Sequence, residues 1–475
     1  MPDGSTRLVA GVDSSTQSTK VEVRDLDSGA VTARGSSPHP ATTPPRSEQD
    51  PSAWWAAFEA AWASAGSPRV EAISVAGQQH GMVALDADRK VIRPAKLWND
   101  TETAPDAGWL MKQLPGGAAE WADAVGSVPV AAFTISKLSW LHRSEPDNWA
   151  RLAMVLLPHD WITMRLTGEV VTDRGDASGT GYWSPASGEY RWDVLSVVDN
   201  DRDWSKAVPR VAGPGEVVGE WDGTKVACGT GDNMAAALGL GLRPGVAVLS
   251  LGTSGTAYTV SDKPTSDPSG AVAGFADATG KYLPLVCTLN ATKVSDAVAR
   301  LLGVDHAEFD QLALSADPGA GGLTLLPYFD GERTPNLPKA TGLLAGLRSD
   351  VSRAQVARAA VEGVACGLLD ALDALAEHAS FTSIRLVGGG TRSAAYRQVL
   401  GELCSLPMSV ADADEAVATG ACVQAAAIAA GITHAEVAER WGLGVATSIG
   451  EPGGDPAGVR ARYAELRSAA HPNST

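Results

Sequence analysis

The sequence predicts a mixed α/β protein of two related halves, and three observations carry that expectation. Near the start, the apolar run Leu8-Val9-Ala10-Gly11-Val12 meets a polar turn, Asp13 to Lys20, and resumes with period-two alternation at Val21-Glu22-Val23. The same shape returns at an offset of 239 residues, where Val246 to Leu251 leads into Gly252-Thr253-Ser254-Gly255-Thr256 and then Ala257 to Val260. A length of 475 residues is ample for two or three domains of ordinary size. Hairpins followed by strand and helix alternation define mixed α/β layers, and the offset divides the chain into 1–240 and 241–475. A Gly/Ser/Thr turn between two strands is common by itself, so the repeat rests on its position in the chain as well as on its shape.

The elements follow in order. Asp50-Pro51 opens a helix over Ser52 to Ala63, whose Trp54, Trp55, Phe58 and Trp62 are spaced for burial on one side. Ala72 to Ala76 is a short buried strand ending in Gly77-Gln78-Gln79-His80-Gly81, and Met82 to Leu85 resumes the apolar run. Val226-Ala227 ends in a Gly-x-Gly turn before a small-residue helix, which places Asp232 near a helix N-terminus. Arg353 to Glu377 has the period of a long buried helix. Ile384 to Val387, Gly388-Gly389-Gly390 and Ser393 to Cys404 give strand, glycine turn and helix, an order suited to binding phosphate.

Composition narrows the function. A net charge of −17 repels nucleic acid and anionic lipid, so any anionic ligand needs local amides, a helix N-terminus or a metal. Five widely spaced cysteines fit neither a disulfide framework nor a CxxC metal site. No leader-like segment and no apolar run near the bilayer-spanning length of about 18 residues is legible, and a cytoplasmic protein is expected. Neither a heptad seam nor an isolated apolar patch is legible, so the sequence leaves the oligomeric state open, a homodimer being compatible with it.

Several residues can carry chemistry. Asp232 in Gly229-Thr230-Gly231-Asp232-Asn233 is either an N-cap or a carboxylate able to take a proton from a substrate hydroxyl, and local sequence leaves both open. Asp13 is either a turn residue or an acid beside a metal and a phosphate; Ser14, Ser15, Thr16, Thr19 and Lys20 around it favour the second. Gly252 and Thr253 supply similar donors in the second half, and neither turn has P-loop spacing. Gln79 and His80, within an apolar run, suit a polyhydroxylated ligand if they are not core residues. Trp98 in Leu97-Trp98-Asn99-Asp100 could stack on a sugar face or be structural.

Taken in order, VAGVDSSTQSTK, EQDPSAWW, GQQHGMVALD, LWND, GTGDNMAAALG, LGTSGT, LPYFDGERTPNLP and LVGGGTRSAAYRQ resemble the FGGY family of carbohydrate kinases over nearly the whole chain. The resemblance implies two ribonuclease H-like domains of actin-type ATPase architecture with an interdomain cleft, the first binding sugar and the second nucleotide. It implies ATP and Mg2+ as cofactors and, from the Gln-x-His-Gly and GERTP segments, D-xylulose as the sugar. By motif, Asp232 would be the catalytic base and Asp13 the magnesium-positioning acid. Gln79, His80, Asn233 and Trp98 would bind sugar. Ser14, Ser15, Thr16, Lys20, Gly252, Thr253, Gly388, Gly389 and Ser393 would serve the nucleotide. Ser15 stands where the family usually has glycine in its first phosphate turn. Lys137-Leu138-Ser139-Trp140-Leu141 matches the centre of a family signature, with Ala132 and Ser144 departing at its flanks. The competing readings are family members acting on ribulose, fuculose or gluconate, and an actin-like ATPase that takes no sugar. Glycerol as substrate would call for Arg-Glu where Gln79-His80 stands.

Overall fold

The computed structural model describes residues 7–455 and 457–472. The chain forms two compact units, and their boundaries cross the expected division at residue 240. The first unit comprises the chain up to Leu242 together with Asp262–Leu283 and Ala413–Gly444, and the second comprises Arg243–Ser261, Pro284–Asp412 and the remainder from Val445. The physical reason for the return is packing. The helix Ala416–Ala430, nearly all small apolar residues, lies against the first unit's sheet and buries Val423, Ala426 and Ile428 with Val9, Leu26 and Ala72.

In the first unit, β1 (Leu8–Ser14), β2 (Ser18–Asp25) and β3 (Val31–Pro38) form an antiparallel meander. Strand β4 (Ala72–Gly77) then pairs parallel to β1, and β6 (Thr224–Ala227) and the short β7 (Thr230–Gly231) pair parallel to β4. An antiparallel edge, β5 (Val217–Trp221), completes the sheet. Both faces are covered, which explains why β1 and β4 read as continuous apolar runs. Ala10 and Val12 face Trp54 and Phe58 of the helix Pro51–Ser64, whose N-cap Asp50 accepts a hydrogen bond from Ser52 N–H at 2.9 Å. On the opposite face Gly11 lets the Ala416–Ala430 helix approach so closely that a Cβ there would lie 2.2 Å from the Ala418 carbonyl oxygen.

The second unit follows the same path. Strands β8 (Gly245–Leu251), β9 (Gly255–Thr259) and β10 (Tyr282–Thr288, in this unit from Pro284) are antiparallel, β11 (Phe381–Val387) and β12 (Met408–Ala411) continue parallel from β8, and β13 (Ala446–Ser448) is an antiparallel edge. This order, three antiparallel strands followed by two parallel ones, is the ribonuclease H-like sheet of actin-type ATPases, and it occurs twice. The helix Arg353–Ala376 packs on the second sheet behind a reciprocal Ser352–Gln355 cap.

Candidate active site

Asp13 is the sixth residue of β1, not a turn residue. The strand runs two residues further than its apolar pattern because Asp13 and Ser14 pair with Ala76 and Gly77 on β4. On the other side of β4, Thr230 and Gly231 pair with the same two residues, so the chain turns into the helix Asp232–Gly239 one strand away from Asp13. The parallel sheet thus brings two distant carboxylates to the C-terminal ends of its central strands. Gly231 takes the cap position, and Asp232 is the first helical residue.

The surroundings of the two acids differ. Asp232 is partly accessible; one of its oxygens accepts from Asn233 N–H at 2.8 Å and from Asn233 Nδ2 at 3.0 Å. Asn233 Nδ2 also donates to Gln79 Oε1 at 2.7 Å. Burial pushes the Asp232 carboxyl up to about 6 despite these bonds. Asp13 is 4% exposed, and its Oδ1 accepts no hydrogen bond among the described residues. Burial and then the charge of Asp232 push it up to about 7, against the pull of Lys20. A buried carboxylate oxygen without a donor, near a second carboxylate, fits a hard divalent cation.

His80 holds an unusual backbone. Its φ is 64°, a left-handed conformation that costs a side-chain-bearing residue about 1–2 kcal/mol. Two side chains hold it there: Asp176 Oδ1 accepts from His80 N–H at 3.2 Å, and Thr134 Oγ1 donates to the His80 carbonyl at 3.2 Å. The ring lies between Phe133 and Phe275, at centroid distances of 5.1 and 5.3 Å. Gly179 leaves it room, since a Cβ there would come within 2.1 Å of His80 Cε1.

Trp98 is 42% exposed and tethered by its Nε1, which donates to Thr16 Oγ1 at 2.9 Å. Its loop is anchored below by the fully buried Lys96, whose ammonium meets Asp100 at 2.9 Å, Glu102 at 2.8 Å and Glu48 at 3.0 Å. The three carboxylates therefore already surround a cation of the chain's own.

Most of the side chains expected to meet nucleotide phosphates have partners inside the protein. Ser15 Oγ donates to the Ser18 carbonyl, Ser14 Oγ accepts from Thr19, Thr16 Oγ1 donates to Gln78, and Lys20 pairs with Glu415 at 2.6 Å. In the second unit Gly252 and Thr253 form the tight β8–β9 turn, and their carbonyls accept from Thr292 and Ala291 at the start of the helix Thr292–Leu302. Gly388, at φ 91°, passes against the Leu251 backbone, where a Cβ would be 2.7 Å from the Leu251 oxygen; Gly389 faces open space. Ser393 caps the helix Ala394–Leu403 and donates to Asp310 at 2.6 Å. Glu332 of the GERTP segment is buried and accepts from Asn290 and from the amides of Leu289 and Arg333. Lys137 of the signature helix Thr134–Ser144 is fully buried with its ammonium at the Ala131 and Ala132 carbonyls, and burial lowers it to about 7.

Asp176, Thr134, Phe133 and Phe275 lie around His80 without any local sequence signal toward it. The run Thr172-Asp173-Arg174-Gly175-Asp176, dense in acids yet buried at both aspartates, is the one feature that could have drawn attention.

Two ribonuclease H-like units, a carboxylate pair at the ends of the two strands that flank β4, and the Asn233 and Gln79 amides beside Asp232 define a phosphotransferase of the sugar kinase class. Models of the FGGY family of carbohydrate kinases match residues 8–239 as its N-terminal domain and 247–429 as its C-terminal domain, and the chain belongs to that family. Its similar relatives include a xylulose kinase of Streptomyces coelicolor, 48% identical over 91% of this chain and 90% of that protein. A xylulose kinase of Haemophilus influenzae is 35% identical over 88% of this chain and 90% of that protein. The crystal structure of xylulose kinase from Bifidobacterium adolescentis superposes with a TM-score of 0.88 at 40% identity, covering 97% of this chain and 99% of that one.

Proposed function

We propose that the protein phosphorylates D-xylulose to D-xylulose 5-phosphate at the expense of ATP, with Asp232 as general base. The observation that carries the reading is the chain from Asp232 through Asn233 to Gln79, next to a fixed His80, in a protein 48% identical to a xylulose kinase. These are neutral hydrogen-bonding groups around one proton acceptor, as an uncharged polyol requires. In the transfer, the sugar's primary hydroxyl oxygen bonds to the γ-phosphorus, the bond from that phosphorus to the β,γ-bridging oxygen breaks, ADP leaves, and the hydroxyl proton passes to Asp232. Catalysis of this kind rests mainly on positioning and charge neutralisation. Asp13 would hold Mg2+, which supplies positive charge to the triphosphate when bound. Trp98 offers an apolar face to the sugar, and Gly252, Thr253, Gly388 and Gly389 serve the nucleotide.

No single helix among the described residues is long and apolar enough to cross a membrane. A cytoplasmic setting, where ATP is available, accords with the free thiols of Cys228, Cys366, Cys404 and Cys422.

The test is ADP release, measured by a coupled assay, with D-xylulose, D-ribulose, L-fuculose, gluconate and glycerol. D-xylulose is expected to give the highest kcat/KM. A higher value with another acceptor would replace the substrate, and release indifferent to every sugar would reject the kinase reading.

A further inference from the structure

Next to the sugar-binding residues lies a group of ionisable side chains that the transfer does not use. His159, the second residue of the helix Pro158–Thr167, is fully buried, and its Nε2 stands 3.3 Å from Asp160, 3.3 Å from Asp173 and 3.5 Å from Asp176. The three aspartates are at most 2% exposed. One imidazole thus serves three carboxylates in the interior of the first unit.

A buried ionic group of this kind is weak evidence of stabilisation. Buried charges lose several kcal/mol of hydration each, and apolar side chains of similar volume are often at least as stable. The local response fits that cost: Asp160 is pushed up to about 6 and Asp176 well above the carboxylate range, both chiefly by burial. Burial alone would lower His159, but the surrounding carboxylates hold it at about 9, so the imidazole stays protonated. Its fit is close as well, since a Cβ on Gly229 would come within 2.9 Å of His159 Nδ1.

What the group does is visible in the far oxygens of two of its aspartates. Asp176 uses Oδ2 toward His159 and Oδ1 toward the amide of His80, the residue held at positive φ. Asp173 uses Oδ1 toward His159 and Oδ2 toward Thr230 Oγ1, at 2.6 Å, two residues before Asp232. Asp160 anchors the third side by accepting from Leu157 N–H at 2.9 Å. His159 Nε2 makes charge contacts rather than hydrogen bonds to the two carboxylates that hold two separate walls, the His80 turn and the strand leading into the Asp232 helix, and the Gly175 and Asp176 amides also donate to Asp173.

We infer that Asp176 and Asp173, gathered around His159, are positioning residues that set His80 and Asp232 in register for a sugar hydroxyl. The inference rests on the proposed sugar kinase reaction and adds the origin of its alignment. An enzyme of this type loses rate steeply when reacting groups shift by about 1 Å, so the register matters more than the bonds themselves.

The test uses the full-length protein and four variants, with D-xylulose and ATP varied separately. Asp176→Ala should raise the KM for sugar at least tenfold while the KM for ATP stays within twofold, and Asp176→Asn, which keeps an acceptor for the His80 amide, should recover most of the loss. Thr230→Val, nearly isosteric, should lower kcat at least fivefold, and Thr230→Ser should restore it. In 15N-histidine spectra the His80 ring resonance should move in Asp176→Ala without any sugar present. Wild-type constants in both Thr230→Val and Asp176→Ala, or equal rises in the two KM values, would overturn the inference; if Asp176→Ala fails to fold, the Thr230 pair decides. A wild-type protein that phosphorylates no pentulose would reject the substrate reading alone, and an unmoved His80 resonance would then reject the inference separately.

Discussion

Replacing Asp232 with asparagine should abolish turnover and make the protein more stable. The sign follows from its environment: the folded-state carboxyl titrates near 6 against an ordinary 3.8, so folding favours the protonated form. Ionisation opposes folding as pH rises through this interval, with the full penalty present above about 6 and none below about 4. A shift of about two units corresponds to roughly 3 kcal/mol, and partial access to water reduces that to about 1–2 kcal/mol. Asparagine carries no charge and keeps an oxygen to accept from Asn233 N–H. At pH 8 the variant should therefore melt about 2–6 °C higher than the parent. The difference should vanish near pH 4. In the same preparation kcat should fall by at least about 10²-fold, the low end of what general bases contribute. For the parent, kcat should decline as pH is lowered through about 6, because only the ionised carboxylate accepts a proton. Differential scanning fluorimetry across pH and the coupled ADP assay measure both effects. An unchanged or lower melting temperature at pH 8 would refute the burial argument, and turnover within tenfold of the parent would remove Asp232 from the role of base.

Substitutions at three further positions probe the architecture around the site. Gly179→Ala places a Cβ 2.1 Å from His80 Cε1 and should raise the sugar KM at least tenfold with little change in that for ATP; isothermal titration with each ligand separates the two. Gly420→Ala would bring a Cβ within 1.8 Å of the Ala235 carbonyl oxygen where the helix Ala416–Ala430 crosses Asp232–Gly239, and overpacking of about 1–3 kcal/mol should appear as a lower melting temperature and reduced kcat together. Trp98→Ala should weaken sugar binding about three- to tenfold, the equivalent of one aromatic contact of about 0.5–1.5 kcal/mol, whereas Trp98→Phe should retain most of it.

The local pattern of the sequence is sufficient for the two hairpins, the Pro51–Ser64 helix and the long Arg353–Ala376 helix, because each is set by periodicity and caps over neighbouring residues. Motif order singles out Asp13, Asp232, Gln79 and His80 as candidates, and the structure places them at the ends of three neighbouring strands and the turns that follow, all in the first unit. Three things are invisible at that level. Asp13 belongs to a strand because its partner is Ala76, and parallel pairing leaves no local trace. The hydroxyls after Asp13 look like phosphate ligands, yet Ser15 folds back on its own turn and Thr16 holds Trp98, choices set by atoms up to 82 residues away. The carboxylates that align His80 and Thr230 lie in a segment whose acids look solvated until helix Pro158–Thr167 delivers His159 among them.

The late return of Ala416–Ala430 to the first unit bears on how the chain is made. Glu22 accepts a hydrogen bond from Thr419, 397 residues downstream, and Gly11 is covered by the same helix. During vectorial synthesis at about 5–20 residues per second, the back of the first sheet stays bare for tens of seconds after its own strands have emerged from the ribosome. Its apolar surface, Val9, Leu26 and Ala72, is then open to chaperones or to wrong neighbours. Expression yield should accordingly depend on chaperone supply more than the melting temperature of the finished protein would suggest.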